Sequence, residues 1–389
     1  MNAPRAGGRR LRVAVLNRVF SPTGGGAETY SIRVVEQLAG RHDVHVFAQQ
    51  IGHEWPGVTY HRVPCPMAKP RWINQLWYAW WTWRATRHGF DVVHSHENTW
   101  HGDVQTIHVK PVRSNLLGGR SGTALALRWL KIATSPRLIA NLRLEMARFT
   151  ARPGRSVVLT SEALRKQAVA VYPAAAAMMS VITPGVNLPG DALSRGEARR
   201  LLGLPQSGAV VLFVANDYAR KGLDTLLAAM VGLPEGSMLM VVGNPQGIPV
   251  YTERARALGL AEAVHFLGAM KDVGAAYRAA TVLAHPTLDD TFAMVVLEAM
   301  AHGLPVVVSG PAHCGISSLL EDGINALLLD DPRNQRQLAA QLKTLLTQPE
   351  YAELLSREGR RFAEGHTWEE AARRYEALYF TAAAIKRPA

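Results

Sequence analysis

The chain has 389 residues, with 43 Lys and Arg against 31 Asp and Glu, for a formal net charge of +12. Hydrophobic residues make up 48% and charged residues 19%, a globular composition that excludes a disordered or fibrous chain. At ~100–200 residues per domain the length suits two domains, and residues 1–185 hold 24 basic and 9 acidic side chains against 19 and 22 in residues 186–389.

The basic half is expected to meet something anionic. At its start, Arg5, Arg9, Arg10 and Arg12 precede only the short apolar run Val13–Leu16, too short for an export signal. Strands are predicted at Leu11–Asn17, Asp43–Gln49, Val58–Val63, Asp91–His96, Gln105–Lys110, Ser156–Thr160 and Met179–Thr183. Several are continuous Val, Ile and Leu runs, as in a parallel sheet covered on both faces. Helical patterns such as Ala27–Ala39 and Ser161–Val171 separate them, the second capped by Ser161.

Pro184, Gly185, Pro189 and Gly190 form a turn-rich connector, followed by a charged helical patch at Arg195–Leu202. Strands are then predicted at Val210–Ala215, Met238–Gly243, Val264–Gly268, Thr281–Pro286, Pro305–Ser309 and Ala326–Asp330. From about Pro332 to Ala384 the pattern is helical. The expected fold is therefore α/β, with two Rossmann-like doubly wound parallel-sheet domains. The expected boundaries are 1–185 and 186–365, with a terminal helix over 366–389 packing back toward the first domain. A cleft at the carboxyl ends of the strands is the expected ligand site. No apolar run reaches the length needed to span a bilayer. Cys65 and Cys314 read as buried small residues in a reducing compartment, which points to the cytosol.

Three motifs carry chemistry. Gly24-Gly25-Gly26-Ala27-Glu28 follows the first strand, where glycines let backbone amides approach a phosphate or sugar hydroxyl. A dinucleotide fingerprint needs glycine where Thr29 stands, so nicotinamide chemistry is disfavoured; a ligand-free turn is the plainer alternative. Arg220 and Lys221 follow the first strand of the second domain and suit a diphosphate, Arg220 as a fork and Lys221 as a point charge. The segment Asp289 to Val307 places acids and Thr291 at a helix start, amides of Phe292, Ala293 and Met294 toward the cleft, and Glu298 on a largely apolar helix. Glu298 needs a partner, either a ribose diol or a buried arginine.

These residues together resemble glycosyltransferase family 4, retaining GT-B enzymes that use nucleotide sugars without a metal. The likeness runs through Gly24–Glu28, His94-Ser95-His96, Arg220-Lys221-Gly222, Phe266-Leu267-Gly268 and Leu297–Val307. The family's paired acids correspond to Asp290 and Glu298, the first being Asp where Glu is usual. The resemblance implies that Glu298 holds the ribose and Asp290 a hydroxyl of the donor sugar. Arg220 and Lys221 would hold the diphosphate above the Gly25–Gly26 loop, with Phe266, Leu267, Thr291, Phe292, Ala293 and Met294 completing the donor site. His108 matches a family histidine beside the donor sugar, or is a satisfied histidine at a strand end. No cofactor or metal is implied beyond the donor, UDP-glucose.

Between Val109 and Thr160 stand Lys110, Arg113, Arg120, Arg128, Lys131, Arg137, Arg143, Arg148, Arg152 and Arg155, with Glu145 the only acid. Leu125, Leu127, Trp129, Leu130 and Ile132 interleave with them, so the Lys110–Arg155 region reads as basic amphipathic helices for an anionic leaflet. Nucleic acid ranks lower, for want of a recognised motif. Trp77, Trp80 and Trp81 fall at helical spacing, which favours core over an interfacial belt. Within the family the likeness is greatest to lipopolysaccharide core glucosyltransferases. That implies a cytoplasmic enzyme, peripheral on the inner face of the membrane, moving glucose to a glycolipid or lipopolysaccharide core. One alternative is another donor, UDP-N-acetylhexosamine or GDP-mannose, in exopolysaccharide or O-antigen synthesis. Another is a non-catalytic, nucleotide-regulated protein that adheres to membrane or nucleic acid.

Overall fold

Continuous apolar runs alternate with helix-length segments, and the computed structural model, which describes residues 9–22, 25–190, 193–270 and 272–386, turns them into two parallel sheets. Arg5 and Gly24 lie outside the described residues. The chain divides into one unit of Met1–Pro184 with Trp368–Ala389 and a second of Gly185–Thr367.

The first unit contains β1 (Arg12–Leu16), β2 (Val19–Phe20), β3 (Asp43–Ala48), β4 (Gln50–Ile51), β5 (Val58–Arg62), β6 (Val92–Ser95), β7 (Val104–Ile107), β8 (Ser156–Leu159) and β9 (Met179–Val181). Seven of these pair in parallel in the order β5-β3-β1-β6-β7-β8-β9, while β2 and β4 pair separately. Val13 through Leu16 are all buried, because helices cover both faces of the sheet.

The second unit contains β10 (Val210–Ala215), β11 (Met238–Gly243), β12 (Val264–Gly268), β13 (Val282–His285), β14 (Val306–Ser309) and β15 (Leu327–Leu329). Their order is β12-β11-β10-β13-β14-β15, again all parallel. Val210, Val211, Leu212 and Phe213 are fully buried, each side chain stabilising the unit by ~1.5–3 kcal/mol. The ends of β10 and β11 come so close that a Cβ on Gly243 would lie 1.7 Å from the Ala215 carbonyl oxygen. In each sheet the strand order reverses beside the first strand. The loops leaving β1 and β6, and those leaving β10 and β13, therefore diverge and open a crevice at the carboxyl ends.

The helix Trp368–Lys386 completes the first unit, lying against the helix Gly26–Leu38. Trp368, Tyr375 and Tyr379 are buried there. Ion pairs of Glu376 with Arg41 at 2.7 Å and of Lys386 with Asp103 at 2.5 Å fasten its edges.

Three expectations are corrected. The tryptophan-rich helix, Arg71–Thr86, turns Asn74, Gln75, Tyr78, Ala79, Thr82 and Thr86 inward and leaves Trp80 and Trp83 exposed. The polar groups it buries are satisfied. Asn74 and Gln49 exchange two amide hydrogen bonds of 2.8 and 2.9 Å, and Gln75 donates to the Asn98 carbonyl at 2.8 Å. Trp77 keeps a hydrogen bond to the Pro64 carbonyl and Trp81 reaches Phe47, so both are only part-buried. Cys65 is exposed; only Cys314 is buried.

The third correction concerns the basic segment. It forms helices Val112–Leu117, Gly122–Ala133 and Pro136–Arg148, but Arg148 and Arg155 are buried. Arg148 donates to Gln105 Oε1 at 3.0 Å and to the Thr106 carbonyl at 2.8 Å. Arg155 donates to the carbonyls of Ala147 at 2.5 Å and Trp100 at 3.0 Å. Arg148 thus ties its helix to β7, and Arg155 ties the loop before β8 to that helix and to Trp100, so neither is a free charge of the helical face. The lone acid, Glu145, accepts the amides of Val112 and Arg113 and the Tyr172 hydroxyl, closing the first of these helices.

Candidate functional site

In the second unit the loop after β10 and the loop after β13 are sewn together. Leu288 N–H donates to the Arg220 carbonyl at 2.9 Å, and Lys221 Nζ donates to the Asp289 carbonyl at 3.1 Å and to Asp290 Oδ2 at 2.5 Å. Gly222 permits this turn. Its φ is +83°, and a Cβ there would lie 1.9 Å from the Pro286 carbonyl oxygen. Two of the three motifs singled out in sequence thus meet at the reversal of strand order in the second unit.

Asp290 is the hub. Its Oδ1 accepts the Phe292 amide at 3.2 Å and the Ala293 amide at 2.9 Å, while Oδ2 accepts Lys221 and, at 3.3 Å, His285 Nε2. Four donors fill the lone-pair positions of a carboxylate, leaving none over for a sugar hydroxyl. Burial would raise the Asp290 pKa, but the hydrogen bond from His285 and the charge of Lys221 outweigh it and hold the carboxyl well below its usual range. Burial in turn lowers the His285 pKa, so the imidazole is neutral and donates from Nε2.

The capture of those two amides corrects the expectation that Phe292 and Ala293 offer free donors. Ala293 takes a left-handed conformation, φ +71°, to open the helix Met294–Ala301. The amides of Met294 and Val295 begin that helix, and the carbonyl of Asp290 one turn back is already bonded by Gly315. They are the donors available to an anion. Lys221 uses two of its three N–H groups within the site and keeps one. Arg220 is exposed, its guanidinium 3.3 Å from the equally exposed Asp217.

Glu298 lies on the second turn of the same helix and accepts a 2.7 Å hydrogen bond from Tyr277, which is buried and whose phenol pKa is raised by burial and then by that carboxylate. Its protein partner is thus a tyrosine, where sequence reasoning named arginine. Thr291, Met294, Phe266 and Leu267 are part-buried, and Phe292 is buried. Among the described residues no group of three or more His, Cys, Asp or Glu side chains is placed to hold a metal ion.

In the first unit Gly25, with φ +137°, caps the helix Gly26–Leu38 and accepts the Thr29 amide through its carbonyl at 3.0 Å. His108 follows β7 and shares a 3.0 Å hydrogen bond between its Nε2 and His96 Nδ1. Beside it runs a directed chain of bonds. Tyr30 O–H donates to the Ile182 carbonyl, so it accepts from Tyr375, which accepts from Thr106, which accepts from His94 Nε2, leaving His94 Nδ1 to accept from Tyr379. Burial pushes the His94 and His108 imidazoles down to about 3. His94 is a structural histidine locking the helix Trp368–Lys386 to the sheet. His96 and His108 form a neutral pair at the carboxyl end of that sheet, with His96 Nε2 unpartnered. Sequence reasoning missed His285 and Tyr277. The position of His285 as the last residue of β13 was the available signal, and Tyr277 offered none.

Residues 194–362 match the model for Glycosyl transferases group 1, and residues 24–189 that for Glycosyltransferase Family 4. A D-inositol 3-phosphate glycosyltransferase of Actinosynnema mirum is 34% identical over 224 residues, 52% of this chain and 52% of that protein. One from Kribbella flavida is 32% identical over 232 residues, 55% of this chain and 53% of that one. The chain spans about half the length of the curated relatives it matches. Among solved structures, WaaG, a glycosyltransferase involved in lipopolysaccharide biosynthesis, superposes with a TM-score of 0.80 at 23% identity, over 97% of this chain and 100% of that chain. Anabaena Alr3699/HepE in complex with UDP and glucose gives 0.72 at 20% identity, over 96% and 100%. At these identities the structural likeness speaks for the fold.

Proposed function

The chain belongs to glycosyltransferase family 4 and has its GT-B architecture, and from that premise we propose that it moves a hexosyl unit from a nucleotide sugar to a glycolipid. UDP-glucose is the proposed donor, in keeping with the UDP and glucose bound by HepE. The observation that carries the reading is the loop pair built on Lys221 and Asp290 at the strand-order reversal. Breaking the bond from sugar to diphosphate leaves negative charge on the leaving group. Arg220, the spare N–H of Lys221 and the Met294 and Val295 amides supply positive potential for it. Asp290 acts by holding those donors in place. Glu298 exchanges Tyr277 for the ribose diol, and His108, neutral and paired with His96, is proposed as the histidine that meets the donor sugar. The transfer is proposed to retain configuration, as the family likeness implies, and to need no metal, with the leaving group's charge met by protein donors.

The acceptor is proposed to be membrane-borne. The helix Gly122–Ala133 buries only Ile132 and leaves Leu127, Trp129 and Leu130 exposed beside Arg128 and Lys131, a composition suited to an anionic leaflet. Among the described residues no helix is long and apolar enough to cross a membrane. The named relatives favour a second reading, a phosphorylated inositol as acceptor. Product mass spectrometry with UDP-glucose, in EDTA, separates the two. Glucosylated lipid from membrane extract supports the first, glucosylated inositol phosphate the second, and hydrolysis alone defeats both.

A further inference from the structure

The amino-terminal edge of the first unit's sheet, at the opposite end of β7 from His108, carries a second concentration of charge. Arg87, Arg152, Arg155 and Lys386 line a hollow of about 280 Å³ together with His101 and a single carboxylate, Asp103. That carboxylate is already committed to the Val93 amide at 2.7 Å and to Lys386 at 2.5 Å. Arg155 is buried and bonded only to uncharged carbonyls, and the nearby Asp103 carboxylate offsets its burial only in part. Neither Arg87 nor Arg152 has a carboxylate partner among the described residues. His101 is only 9% exposed, and both of its ring nitrogens lack a hydrogen-bond partner. A buried imidazole with neither nitrogen satisfied is costly and calls for a ligand.

We propose that this hollow binds a phosphate group, with Arg87, Arg152 and Lys386 as its charged donors and His101 as a hydrogen-bond partner. Phosphate chemistry fits because cations on several sides suit an acceptor with several oxygens. The depressed Arg155, pushed down to about 10 by burial and then by Arg152, is relieved by an anion between the two. The volume falls just below the ~300–1,000 Å³ of ordinary small-molecule pockets, enough for the phosphate and a small organic portion. A neighbouring hollow of about 570 Å³ shares Arg87 and Lys386 and gives that portion room to extend. The four residues of β7 separate this place from His108 by ~13 Å. It is therefore distinct from the candidate donor site and does not depend on the function proposed above.

The test is calorimetric titration of the full chain with sodium phosphate, against sodium chloride at matched ionic strength, and flotation with phosphatidic acid vesicles in a phosphatidylcholine background. The expected result is saturable phosphate binding, weakened at least tenfold in Arg152→Gln and in Arg87→Gln. His101→Phe should lose binding while its thermal midpoint holds or rises, since an unsatisfied polar group has been removed. Phosphate binding with indifferent vesicles assigns a soluble phosphorylated ligand. Vesicle binding that phosphate competes away and Arg152→Gln weakens assigns a lipid headgroup. Titration indistinguishable from chloride with no phosphate-competed flotation overturns the proposal, as does equal phosphate affinity in the wild type and Arg152→Gln.

Discussion

Lys221 Nζ stands 2.5 Å from Asp290 Oδ2, joining residues 69 apart in sequence across the point where the second sheet reverses its strand order. The two side chains are 13% and 16% exposed, so neither charge is well solvated alone. Removing one partner of such a pair typically costs ~3–5 kcal/mol, whereas removing both costs less than the sum. Lys221→Met and Asp290→Asn are each expected to lower stability by ~3 kcal/mol and the double variant by much less. Urea unfolding of all three measures the coupling, and strict additivity would show that the pair is not a unit.

The loop between those residues depends on one glycine. Gly222→Ala must adopt a left-handed conformation and place its Cβ 1.9 Å from the Pro286 carbonyl oxygen. We expect a loss of at least ~3 kcal/mol, combining backbone strain with displacement of a packed carbonyl. A thermal midpoint within a degree or two of the wild type would contradict the turn geometry.

Glu298 and Tyr277 separate binding from structure. Glu298→Ala is expected to abolish transfer and weaken UDP binding at least tenfold while the chain stays folded. Tyr277→Phe keeps the carboxylate available and should retain most of the turnover. If Glu298→Ala turns over near normally, the ribose assignment is wrong.

Acid sensitivity follows from the buried imidazoles. His94 and His108 are pushed by burial to about 3, and His302 likewise to about 4. A histidine with a folded pKa below ~6.5 binds fewer protons folded than unfolded, so its stability contribution falls as pH drops below ~6.5. Asp290 adds a later loss, since a depressed carboxyl stabilises the fold above ~4 and ceases to do so as pH falls further. Urea midpoints should therefore decline already between about pH 7 and pH 5, before carboxylates titrate. A flat profile over that interval would sink this account.

For the exposed helix, Leu127→Glu with Trp129→Glu and Leu130→Glu should abolish flotation with anionic vesicles and leave the thermal midpoint unchanged, since all three face solvent. Arg148→Gln should do the reverse, destabilising the chain through its lost carbonyl contact while sparing flotation. Flotation of the triple variant at wild-type salt dependence would refute the membrane reading.

The strands were legible because burial on both faces writes itself as an unbroken apolar run. Val210–Ala215, Met238–Gly243 and Val264–Gly268 match residue for residue. The pairs β2 and β4, two residues each, carry no such run and left no trace. The helix Arg71–Thr86 misled because tryptophan outweighs every other apolar signal, while the structure buries the amides of Asn74 and Gln75 through partners 25 and 23 residues away. The same holds for Arg148, whose acceptors Gln105 and Thr106 no local pattern could reveal. At the candidate site the residue types at strand ends were readable. The use of Asp290 was not, because a carboxylate's four partners arrive from β13, the loop after β10 and the backbone just beyond it.

The return of the helix Trp368–Lys386 to the first unit also orders events during synthesis. A ribosome makes the whole second unit, Gly185 through Thr367, before this helix exists. Until then Tyr30, Thr106 and His94 lack the hydroxyls of Tyr375 and Tyr379 that satisfy them. The first unit therefore carries that polar, aromatic seam uncovered until its last helix is made. The second unit, one continuous stretch from Gly185 to Thr367, has all its own residues available before the first unit does.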